Sequence, residues 1–346
     1  MKMRSGLSIT KLYVAGFIVA AVVIGIFAVA KLDTTGRRGS GLGPEYDYDI
    51  SQAAKIDPNM IIYREIGTPI STGFGKSEAI FVDSAGLVYV AGDKAIRVFS
   101  QNGSVVKTID LAREPGCLTV AQDGKIYVGI KDHIEVYDGQ GKLLSAWKDL
   151  GEDAVLTSIA VSKNDVFAAD AGNRVVLHYD VNGTLINRIG QRDNAKGIAG
   201  FVVPSPYFDL AVGPDGLLRV VNPGIHRIEA YTFSGDLEFS WGEFSAGIEG
   251  FCGCCNPVNF AMLPDGSFIT CEKGIVRVKV YSPDGDFVGV VAGPDQLIGD
   301  RPAKICETVA ECQAGGFDVA VDEEGKVYIL DTIKNVIRTF AKNKAG

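Results

Sequence analysis

Histidine is scarce in this chain: three in 346 residues, His133, His178 and His226. A zinc centre built on several histidines is therefore hard to assemble. No G-x-S-x-G turn, HExxH or phosphate-binding glycine loop occurs, so the hydrolases and nucleotide enzymes those motifs define find no support. Concentrated positive charge is missing too: net charge is −8, and the region after the first fifty residues has no Lys/Arg-rich run. Phosphate backbones require a basic face, so no nucleic-acid partner is expected. No thioredoxin-like pattern surrounds the cysteines, so dithiol chemistry of that kind finds no specific support. Long apolar runs are absent as well, with one exception.

That exception is "LYVAGFIVAAVVIGIFAVA", uncharged from Leu12 to Ala30 and preceded by Lys2, Arg4 and Lys11. As a helix it would cover roughly 28 Å, close to the hydrocarbon thickness of a bilayer. Ala28-Val29-Ala30 fits a signal-peptidase site. The apolar run nevertheless exceeds the usual signal-peptide length, which favours an uncleaved signal anchor over residues 1–31. Lys31, Arg37 and Arg38 on the far side weaken the positive-inside count. The expectation is a single-pass protein held in the membrane through residues 12–30, with its bulk periplasmic or extracellular. Residues 32–58 ("TTGRRGSGLGP", then "EYDYDI") lack apolar periodicity and read as a flexible tether.

From residue 59 to 346 the text repeats. "AIFVDSAGLVYVAGDKAIRVFSQNGSVV", "CLTVAQDGKIYVGIKDHIEVYDGQGKLL" and four further copies alternate short β-branched or aromatic runs with Asp-Gly-type turns. Six such copies predict a closed β-propeller with four-stranded blades, which leaves only short, protected edges. The sixth copy stops one strand short at "RTFAKN", and "MIIYREIG" (Met60–Gly67) is placed to supply the missing outer strand. The turn Asp170-Ala171-Gly172-Asn173-Arg174-Val175 and the His-Arg-Ile of Ile225–Tyr231 resemble the NHL-repeat family of six-bladed propellers. The resemblance covers about residues 60–342. It implies an all-β six-bladed propeller, here preceded by one N-terminal transmembrane helix. It says less about function, because that family includes scaffolds, ligand binders and a few enzymes.

Seven cysteines are distributed unevenly. Cys252, Cys254 and Cys255 crowd the linker into blade five, in "GFCGCCNP". Cys271 ends the second strand of that blade, read as the position of Asp170, Asn222 and Asp331 in other copies. Cys306 and Cys312 lie in the linker into blade six. Blade connections alternate between two faces, so these six are expected on one face, with Cys117 on the same face but across the ring as the unpaired seventh. Three chemistries remain open. Disulfides would staple the linkers, with the Cys254/Cys255 pair bonded to the Cys306/Cys312 pair. A zinc, copper(I) or iron–sulfur site would use the thiolates, although C-x-C-C is not a zinc-finger spacing. A redox-active vicinal pair would be strained, because adjacent Cα atoms sit about 3.8 Å apart, below the usual disulfide range.

The same face carries polar residues. Ser158, Asp209, Asn259 and Asp318 open inner strands, and Asp170, Asn222 and Asp331 end second strands. All seven are candidates to line the channel. Together they could hold calcium, as in propeller lactonases, or simply wet the channel and cap turns. His133 and His226 are read as loop residues of that face and His178 as part of a third strand. These histidines fall short of the zinc set of an amidating-lyase-like propeller. No catalytic residue is assigned and no cofactor is expected, a metal at the cysteine cluster being the alternative. The function expected is a binding scaffold whose cysteine-bearing face meets a protein partner or a ligand. The alternatives are a redox or metal protein and a channel-centred Ca- or Zn-dependent hydrolase or lyase.

Overall fold

The computed structural model describes residues 9–31, 54–195, 198–299 and 316–343. The chain divides into two units, residues 1–49 and 50–346. In the first unit a helix runs Ile9–Lys31, with every side chain from Tyr13 to Gly25 exposed. Its side chains are described only over that stretch, and among the described residues no helix is long and apolar enough to cross a membrane. The tether expected over 32–58 lies outside the described residues as far as 53.

The second unit is a six-bladed propeller of four-stranded antiparallel sheets. Blades one to five follow the chain at residues 77–110, 115–146, 156–189, 210–241 and 259–292. Within each, the strand order is the sequence order. Blade six combines Asp318–Val321, Val327–Asp331 and Val336–Lys342 with an outer strand from the other end of the unit, Tyr63–Ser71. The register pairs Tyr63 with Lys342 and Ser71 with Val336. The expected closing strand is therefore present, a few residues further along than its text suggested. Arg338 clamps it, donating from Nε and Nη2 to the two carboxylate oxygens of Glu65 at 2.8 and 2.6 Å. Just upstream, the Ile62 amide bonds the Val290 carbonyl of blade five at 3.0 Å, and Ile56 packs over Gly293. The N-terminal segment thus spans two blades.

Burial follows the seams. The described apolar core resolves into six clusters, each joining one blade to the next, the last joining blade six to blade one. Such an arrangement follows from strands whose two faces are both covered, so the middle strands are buried on either side, charged positions included. Val327–Asp331 and Phe268–Glu272 are buried at every position. The Asp-Gly turns hold their own geometry. Asp138 Oδ1 accepts the amides of Gln140 and Lys142, and Gly141 takes φ +90°, where a side chain would be strained.

Candidate functional site

The linkers into the inner strands and the turns between second and third strands share one face, here termed the upper face. Its best-built part surrounds blade five. Glu272, the last residue of Phe268–Glu272, is paired with Arg277, the first of Arg277–Tyr281. Its carboxylate accepts Arg277 Nε at 2.7 Å and Nη2 at 2.9 Å, and Lys279 Nζ lies 3.1 Å away. All three side chains are fully buried. Burial alone would raise the Glu272 pKa, but the charges of Lys279 and Arg277 outweigh it and hold the carboxyl below its usual range. Lys279 is pushed down to about 8, chiefly by burial, with Glu272 only partly compensating and Arg277 opposing. One carboxylate is shared by two cations, so the aspect in excess is positive charge.

This cluster holds the linker. Lys279 Nζ donates to the carbonyls of Ile248 (3.1 Å) and Gly250 (2.6 Å), and Arg277 Nη1 to that of Gly247 (3.3 Å). The Tyr281 hydroxyl donates to the Glu249 carbonyl at 3.0 Å. Glu272 Oε1 also accepts the Cys252 amide at 2.9 Å. Asn256 completes the turn, donating from Nδ2 to the carbonyls of Cys252 and Lys273 and accepting the Lys273 amide at 2.9 Å.

Here the register corrects the sequence reading of Cys271. The residue equivalent to Asp170, Asn222 and Asp331 is Glu272, since each of these four pairs with the first residue of its third strand. A slip of one residue in a strand reverses the side chain. Cys271 accordingly points into the seam between blades five and six, among Val258, Val278 and Phe317. Burial pushes its thiol well above the ordinary range. Cys117 is likewise buried, in the seam between blades two and three, and its pKa is raised for the same reason.

The crowded thiols are arranged differently. Cys254 is exposed, Cys255 is buried, and their Sγ atoms lie 3.3 Å apart. Ser205 Oγ donates to Cys255 Sγ at 3.2 Å, and the buried Lys273 Nζ donates to Ser205 Oγ at 3.1 Å. Burial raises the Cys255 pKa, but hydrogen bonds from Ser205, Lys273 and Cys254, together with the lysine charge, leave it lowered overall. Cys252, half-buried, moves upward, mainly through burial. The five described cysteines form no disulfide with one another. Cys306 and Cys312 lie outside the described residues. Among the described residues no three His, Cys, Asp or Glu side chains gather as a metal-holding group.

Ser205 leads directly to the mouth of the central cavity, which Pro206 and Tyr207 line; the cavity measures about 900 Å3. Ser158, Asp209, Asn259 and Asp318 also line it. Each reaches the next blade: Asp209 Oδ2 accepts the Phe260 amide and Asp318 Oδ2 the Ile80 amide, both at 2.8 Å. Asn259 Nδ2 donates to the Phe317 carbonyl at 2.9 Å, and Ser158 Oγ to that of Leu210 at 3.4 Å. Asp170, Asn222 and Asp331 do not line the cavity. Asp170 and Asn222 accept the linker amides of Val155 (3.0 Å) and Val202 (2.9 Å), and Asp331 accepts those of Ile333 and Lys334 in its turn.

Burial raises the pKa of Asp209 to about 6; burial and the Asp209 charge raise that of Asp318 to about 7. A carboxyl whose folded pKa exceeds its unfolded value contributes stability that is complete below about pH 4 and lost as pH rises through the folded value. Stability is therefore expected to fall by about 1–3 kcal/mol between pH 4 and pH 7.5, cavity water moderating the effect. Asp318→Asn should flatten the upper half of that slope in urea titrations. An unchanged slope would refute the assignment.

His133 begins the third strand of blade two rather than lying in a loop, and its Nδ1 meets Asp132 Oδ1 at 2.6 Å. His178 bridges Asp165 and Asn187. His226 adopts φ +60° in its turn, with Nδ1 3.2 Å from the Asn256 carbonyl and its ring 5.2 Å from Phe244. Burial lowers its pKa.

No family model matches the chain, and no curated protein matches it. Several solved propellers do. A streptogramin B lyase aligns at 15% identity over 81% of this chain and 98% of its own, with a TM-score of 0.55. A virginiamycin B lyase from Staphylococcus aureus aligns at 15% identity over 82% and 90%, TM-score 0.51. A gluconolactonase from Xanthomonas campestris aligns at 14% over 84% and 96%, TM-score 0.57. At these identities the likeness is one of fold.

Proposed function

We propose that this protein is a membrane-anchored propeller of NHL type, exported to the periplasmic or extracellular side, whose upper face binds a protein partner. The observation that carries this reading is the buried Glu272–Arg277–Lys279 cluster, which fixes the linker 243–257 in one place. Buried charge is a costly way to hold a loop, and it suits a surface that must be presented ready-made. Beside it stand exposed apolar side chains: Phe244 against the His226 ring, Ile225 next to His226, and Val202 against Gly224. Recognition residues commonly sit on loops over a rigid scaffold. The anchor is residues 12–30, whose apolar length matches a bilayer. The activities of the lyases and the lactonase remain properties of those proteins.

A photo-crosslinker placed at Phe244 or Val202 in native membranes should capture one discrete partner. The same group at Val105 or Leu143, exposed on outer strands, should not. Equal labelling at all four positions, or recovery of the protein in the soluble fraction, would overturn the reading.

A further inference from the structure

Cys254 and Cys255 are placed as an asymmetric pair. The first is open to solvent, the second is enclosed, and the sulfurs are 3.3 Å apart. Closing a disulfide from that separation takes an approach of about 1.3 Å. The enclosed sulfur has a donor relay behind it, Lys273 to Ser205 to Cys255. Nothing in an apolar or purely structural role for Cys255 calls for a buried lysine and a hydroxyl aimed at it. Cys271, buried among Val258, Val278 and Phe317, shows what the structural alternative looks like in the same blade.

We propose that Cys254 and Cys255 form a vicinal thiol–disulfide exchange centre, with Cys254 the sulfur that is attacked and Cys255 the thiolate that leaves, acting on a dithiol of a partner protein. In the oxidised pair, a partner thiolate attacks Cys254 Sγ. The Cys254–Cys255 bond breaks and its electron pair goes to Cys255, where Ser205 and Lys273 receive the charge. A second partner thiolate then attacks the partner sulfur of the mixed disulfide. Cys254 leaves as a thiolate and takes up a proton. The partner gains a disulfide and the pair becomes the dithiol. The reverse sequence with a disulfide-bearing molecule, such as glutathione disulfide, restores the oxidised pair. Two observations select these roles: exposure decides which sulfur a partner reaches, and the thiolate held by Ser205 and Lys273 leaves faster. The lowered Cys255 pKa agrees with the leaving role. The partner class rests on the docking reading above: Phe244, Ile225 and Val202 are exposed, the Phe244 ring lies against His226, and His226 Nδ1 meets the carbonyl of Asn256, the residue after Cys255. The exchange chemistry itself does not.

The test is incubation of the full chain with glutathione disulfide, followed by alkylation and peptide mass mapping. In the peptide that carries Cys252, Cys254 and Cys255, fragmentation should place a loss of two hydrogens in a Cys254–Cys255 bond and the alkyl group on Cys252, whereas a bond from Cys252 to either neighbour would overturn the proposal. Cys255→Ser should instead retain one glutathione on Cys254, and Cys254→Ser should leave Cys255 unmodified. Lys273→Met should slow resolution of the mixed disulfide at pH 7 roughly tenfold and move its pH profile upward, a readout that a merely structural lysine would not shift. Mapping that joins Cys254 or Cys255 to Cys306 or Cys312, or that finds both separately alkylated after oxidation, would overturn the proposal. Neither result alters the crosslinking pattern, so the two readings fail separately.

Discussion

Replacing Glu272 by glutamine is expected to destabilise the propeller by about 3–5 kcal/mol, because it leaves Arg277 and Lys279 buried without their shared counter-charge. Glutamine keeps an oxygen for the Cys252 amide, so the loss isolates charge from the linker hydrogen bond. Urea unfolding at pH 7 gives the measurement. The double variant Glu272→Gln, Lys279→Met should recover a large part of the loss, since one buried cation is then removed. A Glu272→Gln protein within 1 kcal/mol of the parent would mean that backbone carbonyls alone satisfy the two cations, an outcome flagged by about the net worth of ordinary hydrogen bonds. Limited proteolysis within 243–257 should accelerate in the single variant and return toward normal in the double one.

The second large effect concerns closure. A chain beginning at Gly73 lacks the strand Tyr63–Ser71 and with it the whole outer edge of blade six. Tyr63 leaves the seam between blades five and six, and the Glu65 partner of Arg338 disappears. The strand Val336–Lys342 then becomes an unpaired edge, a template for association. Loss of a single cooperative thermal transition and concentration-dependent aggregation are expected, whereas a chain beginning at Ala54 should unfold like the full second unit. A cooperative, monomeric chain from Gly73 would show that five complete blades and a three-stranded sixth suffice.

The propeller was readable in the sequence because each blade repeats the same short-range signals, alternating apolar runs and Asp-Gly turns. The closing strand was readable because one copy was visibly short. The site was less legible, for a reason of register. "SFITCEKG" offers Cys271 and Glu272 as neighbours, and only strand pairing tells which of them occupies the turn-facing position. A signal was nonetheless present. The third strands "AIRVF", "HIEVY", "RIEAY", "RVKVY" and "VIRTF" each carry a charge at the central position, Arg97, Glu135, Glu229, Lys279 and Arg338. Charge in the middle of an enclosed strand demands a partner. Arg97 bonds the Thr72 carbonyl, Lys279 the Gly250 carbonyl and Arg338 the Gln296 carbonyl, so three of these positions tie a linker to its blade. Ser205 and Lys273 carried no such mark. They lie 50 and 18 residues from Cys255, and only the ring brings them to it.

The same ring sets an order of events on the growing chain. Tyr63–Ser71 is made before any other strand of the propeller, and its partner Val336–Lys342 is made last. Blades one to five can each assemble from consecutive residues as they emerge, but blade six must wait for the last of the propeller's strands. The earliest strand therefore stays without its sheet partner until that last strand is made, with its backbone hydrogen-bonding groups open. Pairing across so great a sequence separation is slow, and a partly made chain with a free edge is prone to aggregate. For this protein the vulnerable moment comes just before its first and last strands meet, when a chaperone has most to protect.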